Sequence, residues 1–128
     1  MKKALKIILI ALGALLLISL LAAFMISRGL EEGKNLPLSG IRQVEKADGT
    51  YSGSYENGRF SNQVSVTISA GRISEIKVTK DMMIVQEGLT DRLFEEVMKK
   101  QDTKVDTISG ATVSCKAYLK AVENAVLE

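Results

Sequence analysis

Polar and apolar positions divide the chain into three stretches with different periods. Residues 7–26 (IILIALGALLLISLLAAFMI) carry no charge and follow Lys2, Lys3 and Lys6. An apolar run of this length, wound at helical rise, spans the ~30 Å hydrocarbon core of a bilayer. A membrane-crossing helix is therefore expected over residues 1–27. Residues 28–47 (RGLEEGKNLPLSGIRQVEKA) are polar, contain three glycines and Pro37, and lose the period. They read as a tether, with a first strand near residues 41–44 as the ordered alternative.

From residue 48 a period of two takes over. Asp48-Gly49 marks a turn and residues 50–55 a short strand. Asn57-Gly58, flanked by Tyr51, Tyr55 and Phe60, is a hairpin signal. Val64, Val66 and Ile68 alternate with Ser65, Thr67 and Ser69, so one face of that strand is buried and the other wet. Ala70-Gly71 turns the chain, and Ile73, Ile76 and Val78 supply a third strand with Ser74, Lys77 and Thr79 turned away. A three-stranded antiparallel meander is expected.

Residues 81–88 (DMMIVQEG) read as a loop or a short strand. Helical spacing then returns. Leu89, Leu93, Phe94, Val97 and Met98 form an apolar stripe on a helix expected over residues 91–100. Thr90 would be its N-cap, and Leu89 and Phe94 a hydrophobic staple. Asp91 and the pair Lys99 and Lys100 suit the two ends of its dipole. Tyr118, Ala121, Val122, Ala125 and Val126 mark a C-terminal helix. Two helices over one face of the meander give a small α+β domain at residues 48–128, preceded by one N-terminal transmembrane helix.

Charge sharpens the first stretch. The chain has 17 basic and 15 acidic residues. Three of the lysines precede the apolar run and every acid follows it, so the remainder is near neutral with its charges interspersed. That leaves no basic stripe, and no nucleic-acid partner is expected. The basic start keeps the N-terminus in the cytoplasm and places the C-terminal domain outside, in a single-pass protein of the cell membrane. A secretory signal peptide has the same basic start and apolar core, but usually a shorter one. Ser27-Arg28-Gly29-Leu30-Glu31 offers no clean small-x-small cleavage site, and no cysteine ends the run to take a lipid.

Composition also removes chemistry. The single cysteine, Cys115, rules out an internal disulfide and any multi-cysteine metal or cluster site. With no histidine, the commonest metal ligand and the usual general base of nucleophilic triads are missing. Hydrolase readings of the serines have nothing to activate them.

One cluster stands out. VDTISGATVSCKAY, residues 105–118, sets Asp106, Thr107, Ser109, Thr112 and Ser114 around Gly110, directly before the C-terminal helix. A helix N-terminus has unpaired N–H groups and partial positive charge, which suit a phosphate. Gly110 and Ala111 allow close approach of backbone to a ligand. Ordinary capping uses the same residue types. The cluster is neither a P-loop nor a nucleophile elbow.

The order of residues adds to this. Asp106-Thr107-Ile108-Ser109-Gly110-Ala111-Thr112 resembles the flavinylation motif D-x-x-[ST]-G-A-T of the FMN-binding domain family, which includes flavin subunits of sodium-pumping and Rnf-type redox complexes and many small exported flavoproteins. Asp48-Gly49-Thr50-Tyr51-Ser52-Gly53 resembles that family's D-G-x-Y-x-G segment, and Ala117, Ala121 and Ala125 its small-residue C-terminal helix. The resemblance covers residues 47–127.

It implies that FMN is the cofactor, joined through its phosphate to the Thr112 hydroxyl by a separate flavin transferase that uses FAD and magnesium. It also implies that Asp106 belongs to recognition and turn structure, and Ser109 and Gly110 to the tight loop. Apart from the resemblance, Thr112 and Ser114 at the helix start could cap it or present hydroxyls to an anion. Larger members of the family carry a histidine-containing segment where this chain has DMMIVQEGLT, which points to a minimal carrier. Met82, Met83 and Ile84 would line the flavin ring or fill the core. Cys115 is a reactive thiol near the flavin or a small buried hydrophobe. Tyr51, Tyr55, Phe60 and Tyr118 stack on the ring or belong to the core.

The resulting expectation is a membrane-anchored, extracytosolic electron carrier rather than an enzyme with its own substrate. It would work between redox donor and acceptor partners through FMN covalently held on Thr112. A non-covalent FMN binder or flavin reductase of the same fold, and a tethered interaction module whose hydroxyls only cap a helix, are the alternatives.

Overall fold

The structure is a computed structural model and describes residues 1–27, 33–41, 44–108 and 110–127. The elements run α1 (Lys2–Ser27), β1 (Gly49–Tyr55), a 3-10 turn (Gly58–Phe60), β2 (Asn62–Ser69), β3 (Arg72–Lys80), α2 (Leu89–Lys100) and α3 (Thr112–Leu127). The fold is α+β: a three-stranded antiparallel sheet in the order β1-β2-β3, with α2 and α3 on one face.

Helix α1 stands apart from this domain. Within Lys2–Met25 an 18-residue window has a mean hydropathy of 3.0, and none of that window is buried within the protein. A helix so apolar and so exposed is not a core helix, and it is a candidate single membrane span. A signal sequence meets the same test.

The sheet buries one face, as its alternation demands. Val64, Val66 and Ile68 are buried, and their neighbours Gln63, Ser65, Thr67 and Ser69 are not. Strand β3 needs more than alternation, because its two buried isoleucines, Ile73 and Ile76, are three residues apart. A flat strand would turn them to opposite faces. Pairing jumps from Thr67↔Glu75 to Ile68↔Ile73, so Ser74 is an extra residue and both isoleucines face the core. A second shift, between Gln63↔Lys80 and Val64↔Val78, adds Thr79 in the same way.

Two local expectations are corrected. Asn57-Gly58 does not form a two-residue hairpin. Strand β1 ends at Tyr55, paired with Asn62, and the chain between makes a 3-10 turn that sends Phe60 into the core, 5% exposed. Burying that ring outweighs a tight turn. Nor does Thr90 cap α2. The helix begins at Leu89, after Gly88 at φ +77°, which turns the chain into it in a conformation open to glycine. Leu89 and Phe94 are both buried, as core residues of the first two turns rather than as a staple across the cap. Residues 81–88 form a loop.

The position of α3 depends on a glycine in β1. A Cβ on Gly53 would lie 2.2 Å from the Ala121 carbonyl oxygen and 2.3 Å from the Ala125 nitrogen. Strand and helix backbones therefore touch, and Ala117, Ala121 and Ala125 are buried along the line of contact. This accounts physically for the small residues of both segments.

Part of the stretch expected as a tether is fastened to the domain. Glu123 lies inside α3, 1% exposed. Its carboxylate accepts from the Gly40 N–H at 2.9 Å, the Ser39 N–H at 3.3 Å and the Thr103 hydroxyl at 2.5 Å, and Lys120 Nζ lies 3.5 Å away. Asp102 accepts from the Ile41 N–H at 2.8 Å. Burial raises the Asp102 carboxyl, but bonds from the Ile41, Lys104 and Thr103 N–H groups outweigh it and hold the pKa below the ordinary value. Ile41 is in the core. Residues 28–32 and 42–43, which carry the rest of the tether and of the alternative strand, lie outside the described residues.

Gly53→Ala is expected to cost about 3 kcal/mol, because backbone rather than a flexible side chain must give way. Urea unfolding of the domain measures it, and an unchanged midpoint would show that α3 does not rest on this contact.

Candidate functional site

Strand β3 ends at Lys80, and α3 is pinned at the next residue, Asp81. The Tyr118 hydroxyl donates to Asp81 Oδ1 at 2.5 Å, and Asp81 also accepts from the Met82 N–H at 2.8 Å. Burial, then the Asp81 carboxylate, raises the Tyr118 pKa far above its usual range, so it stays a phenol. Its ring meets Phe94 edge-on at 6.0 Å between centroids. Tyr118 is thus a core residue. The start of α3, six residues earlier, opens on solvent.

A cavity of about 320 Å³ lies at that start. Its floor is Gly110, Ala111, Thr112, Val113 and Ser114; the hairpin tip contributes Arg59 and Phe60; Ile84 and Lys34 complete it. The volume is at the lower end of the ~300–1,000 Å³ of small-molecule sites. Gly110 sits at φ +82°, in the left-handed region that suits glycine, and so turns the chain into the helix. The Ala111 N–H bonds the Ile108 carbonyl at 2.9 Å, and the Cys115 N–H bonds the Ala111 carbonyl at 2.8 Å. The N–H groups of Thr112, Val113 and Ser114 are in the first turn and have no partner along the helix.

Thr112 is exposed at this mouth and Ser114 half-buried. Among the described residues, neither hydroxyl makes a side-chain hydrogen bond. They are therefore not engaged as caps. Among the described residues, two cations, Lys34 and Arg59, line the cavity and no carboxylate does. Phe60, Ile84 and Val113 give it an apolar side. Free backbone donors, cations and an apolar wall fit a phosphate carrying a flat aromatic ring.

The sequence-picked residues divide here. Gly110, Ala111, Thr112 and Ser114 come together in this cavity. Asp106 does not: it is exposed and lines a separate cavity of about 300 Å³ with Arg92, Glu95 and Glu96. Ser109 lies outside the described residues. Met82 is buried in the core, Met83 is exposed, and Ile84 alone of the three lines the cavity. Cys115 is fully buried, and burial raises its thiol pKa, so it is a packing residue rather than a reactive one. Tyr51 bonds the Ala47 carbonyl at 2.7 Å, and Tyr51 and Tyr55 pack at the edge of the core. Phe60 is both core and cavity wall. Sequence reasoning missed Arg59 and Lys34, since isolated cations in a hairpin tip and in a polar stretch carry no signal of their own.

The model of the family described as FMN-binding domain matches residues 61–127, more than half of the chain. The chain belongs to the FMN-binding domain family. It is a flavin-binding protein, and the domain indicates FMN as its cofactor. A comparison with curated proteins returns no match. Within this FMN-binding domain the match runs from the start of β2 to the end of α3, so it includes the cavity floor but neither Arg59 nor Lys34.

In flavin-free protein, Thr112→Ala is expected to shift stability by less than about 0.3 kcal/mol, whereas loss of a working N-cap costs ~1 kcal/mol. Denaturant midpoints of the two flavin-free proteins decide between them.

Proposed function

We propose that this protein carries electrons on the outer side of a membrane, through an FMN joined by phosphoester to Thr112. In this reading residues 1–27 anchor the chain with its N-terminus in the cytoplasm. Residues 28–47 connect the anchor to the flavin domain at residues 48–128. The observation that carries the reading is an exposed threonine hydroxyl, without a hydrogen-bond partner among the described residues, at the mouth of α3 in a cavity lined by cations.

The Thr112 hydroxyl is the group to be modified. A flavin transferase would present FAD with magnesium. The Thr112 Oγ1–phosphorus bond forms, the pyrophosphate bond breaks, AMP leaves, and the hydroxyl proton is lost. Gly110 and Ala111 keep the floor open for backbone approach, and Ser114 offers a second hydroxyl. Asp106, which lines the separate cavity with Arg92, would serve recognition by the transferase rather than contact with the flavin. The unpaired N–H groups of the first turn favour the phosphate charge. FMN, when bound, supplies the redox chemistry, and the protein's part is to hold and orient it. Attachment also keeps the cofactor from loss by dilution outside the cell. Its redox partners would be a donor and an acceptor rather than a substrate of its own.

Intact-mass measurement of the full chain, produced alongside an active flavin transferase, is expected to show a gain of one FMN less one water. Thr112→Ala is expected to show none. Wild-type protein that stays unmodified, or that gives up free FMN on denaturation, would contradict the covalent reading.

A further inference from the structure

The hairpin tip between β1 and β2 holds an unmet electrostatic demand. Arg59 Nε is buried and has no hydrogen-bond partner, and no carboxylate pairs with this guanidinium among the described residues. A second buried side-chain polar atom without a partner among the described residues, Asn62 Oδ1, lies at the start of β2, where the tip ends. Buried donors are almost always satisfied, so such a group marks either strain or a missing partner. The Arg59 guanidinium packs on the Phe60 ring, with Cζ 4.7 Å from its centroid, and the Arg59 backbone carbonyl accepts from the Met83 N–H at 3.2 Å. It borders the cavity whose floor includes Thr112.

We infer that Arg59 is a phosphate-binding residue of the flavin site, supplying the fixed cation that faces the phosphate at the mouth of α3. The inference rests on the reading that FMN enters this cavity phosphate-first. A planar guanidinium matches phosphate oxygens with two parallel donors, and such charge-assisted bonds are about twice as strong as neutral ones. Lys34 lines the same cavity but is exposed, and as a solvated point charge it gives steering more than position. The flavin ring also has an electron-rich edge that would accept from a guanidinium. The phosphate is the better match because the cavity floor beside Arg59 is the set of unpaired first-turn N–H groups, which hold anions.

The test uses the full chain made with a flavin transferase, as wild type, Arg59→Gln and Arg59→Lys. Phosphorus NMR of the linked flavin is expected to show a resonance displaced by more than its linewidth in Arg59→Gln and moved back toward wild type in Arg59→Lys. Loss of flavin attachment in Arg59→Gln that Arg59→Lys restores at least tenfold has the same meaning. An unmoved phosphorus resonance overturns the assignment, including when the flavin midpoint potential shifts, which would set Arg59 against the ring. Attachment lost in both variants, while their flavin-free unfolding midpoints equal the wild type, also overturns it. Wild-type protein without flavin would instead remove the reading beneath it, independently of residue 59.

Discussion

The architecture turns on how closely α3 approaches β1. A helix over a sheet ordinarily keeps a layer of side chains between the two backbones. Here Gly53 removes that layer, and Ala121 and Ala125 sit against the strand itself. The seat fixes the height of the helix, and with it the place where its first turn leaves the core. Tyr118, bonded to Asp81, fixes the rotation of the same helix. With one face of α3 buried to this extent, Thr112 and Ser114 are left at its open end, beside the hairpin tip and the loop after β3. A cavity floored by backbone donors follows from helix packing rather than from the loop alone.

Glu123 extends that logic to the chain before the domain. Its carboxylate sits on the buried side of α3 and gathers the backbone of Ser39 and Gly40. The Lys34 carbonyl accepts from Lys116 Nζ at 2.7 Å, also on α3. One helix thus organises the sheet contact, the cavity floor and the segment that leads back toward α1. This is how Lys34, far from the motif in sequence, comes to border the same cavity as Thr112.

Much of this was legible from local pattern. Strict alternation at residues 64–69 gave β2. The small residues at 53, 117, 121 and 125 were legible only as part of the family resemblance, and the close approach of strand and helix backbones gives their physical reason. The motif at residues 106–112 pointed to the family that the match shows, and its residues 110–112 line the cavity at the mouth of α3. What failed to read out was non-local. Thr90 looked like a cap, but the entry of the chain into α2 is set by Gly88 and the burial of Leu89. Asn57-Gly58 looked like a tight turn, but the core needed Phe60. Spacing alone gave no reason for Ser74 and Thr79 to bulge. Asp106 belongs to the motif by sequence and to a different cavity in space. Arg59 carries no periodic or motif signal, and only its unpartnered buried nitrogen draws notice.

The central claim is that one hydroxyl, that of Thr112, is the attachment point. Five hydroxyl and carboxyl side chains crowd residues 106–114, so a whole-chain mass does not choose among them. Tandem mass spectrometry of the tryptic peptide covering residues 105–116, from protein matured with a flavin transferase, does choose. The account predicts fragments that carry FMN less one water from residue 112 onward and leave residues 106, 107, 109 and 114 unmodified. The same mass on any of those four residues, or on none, would contradict it.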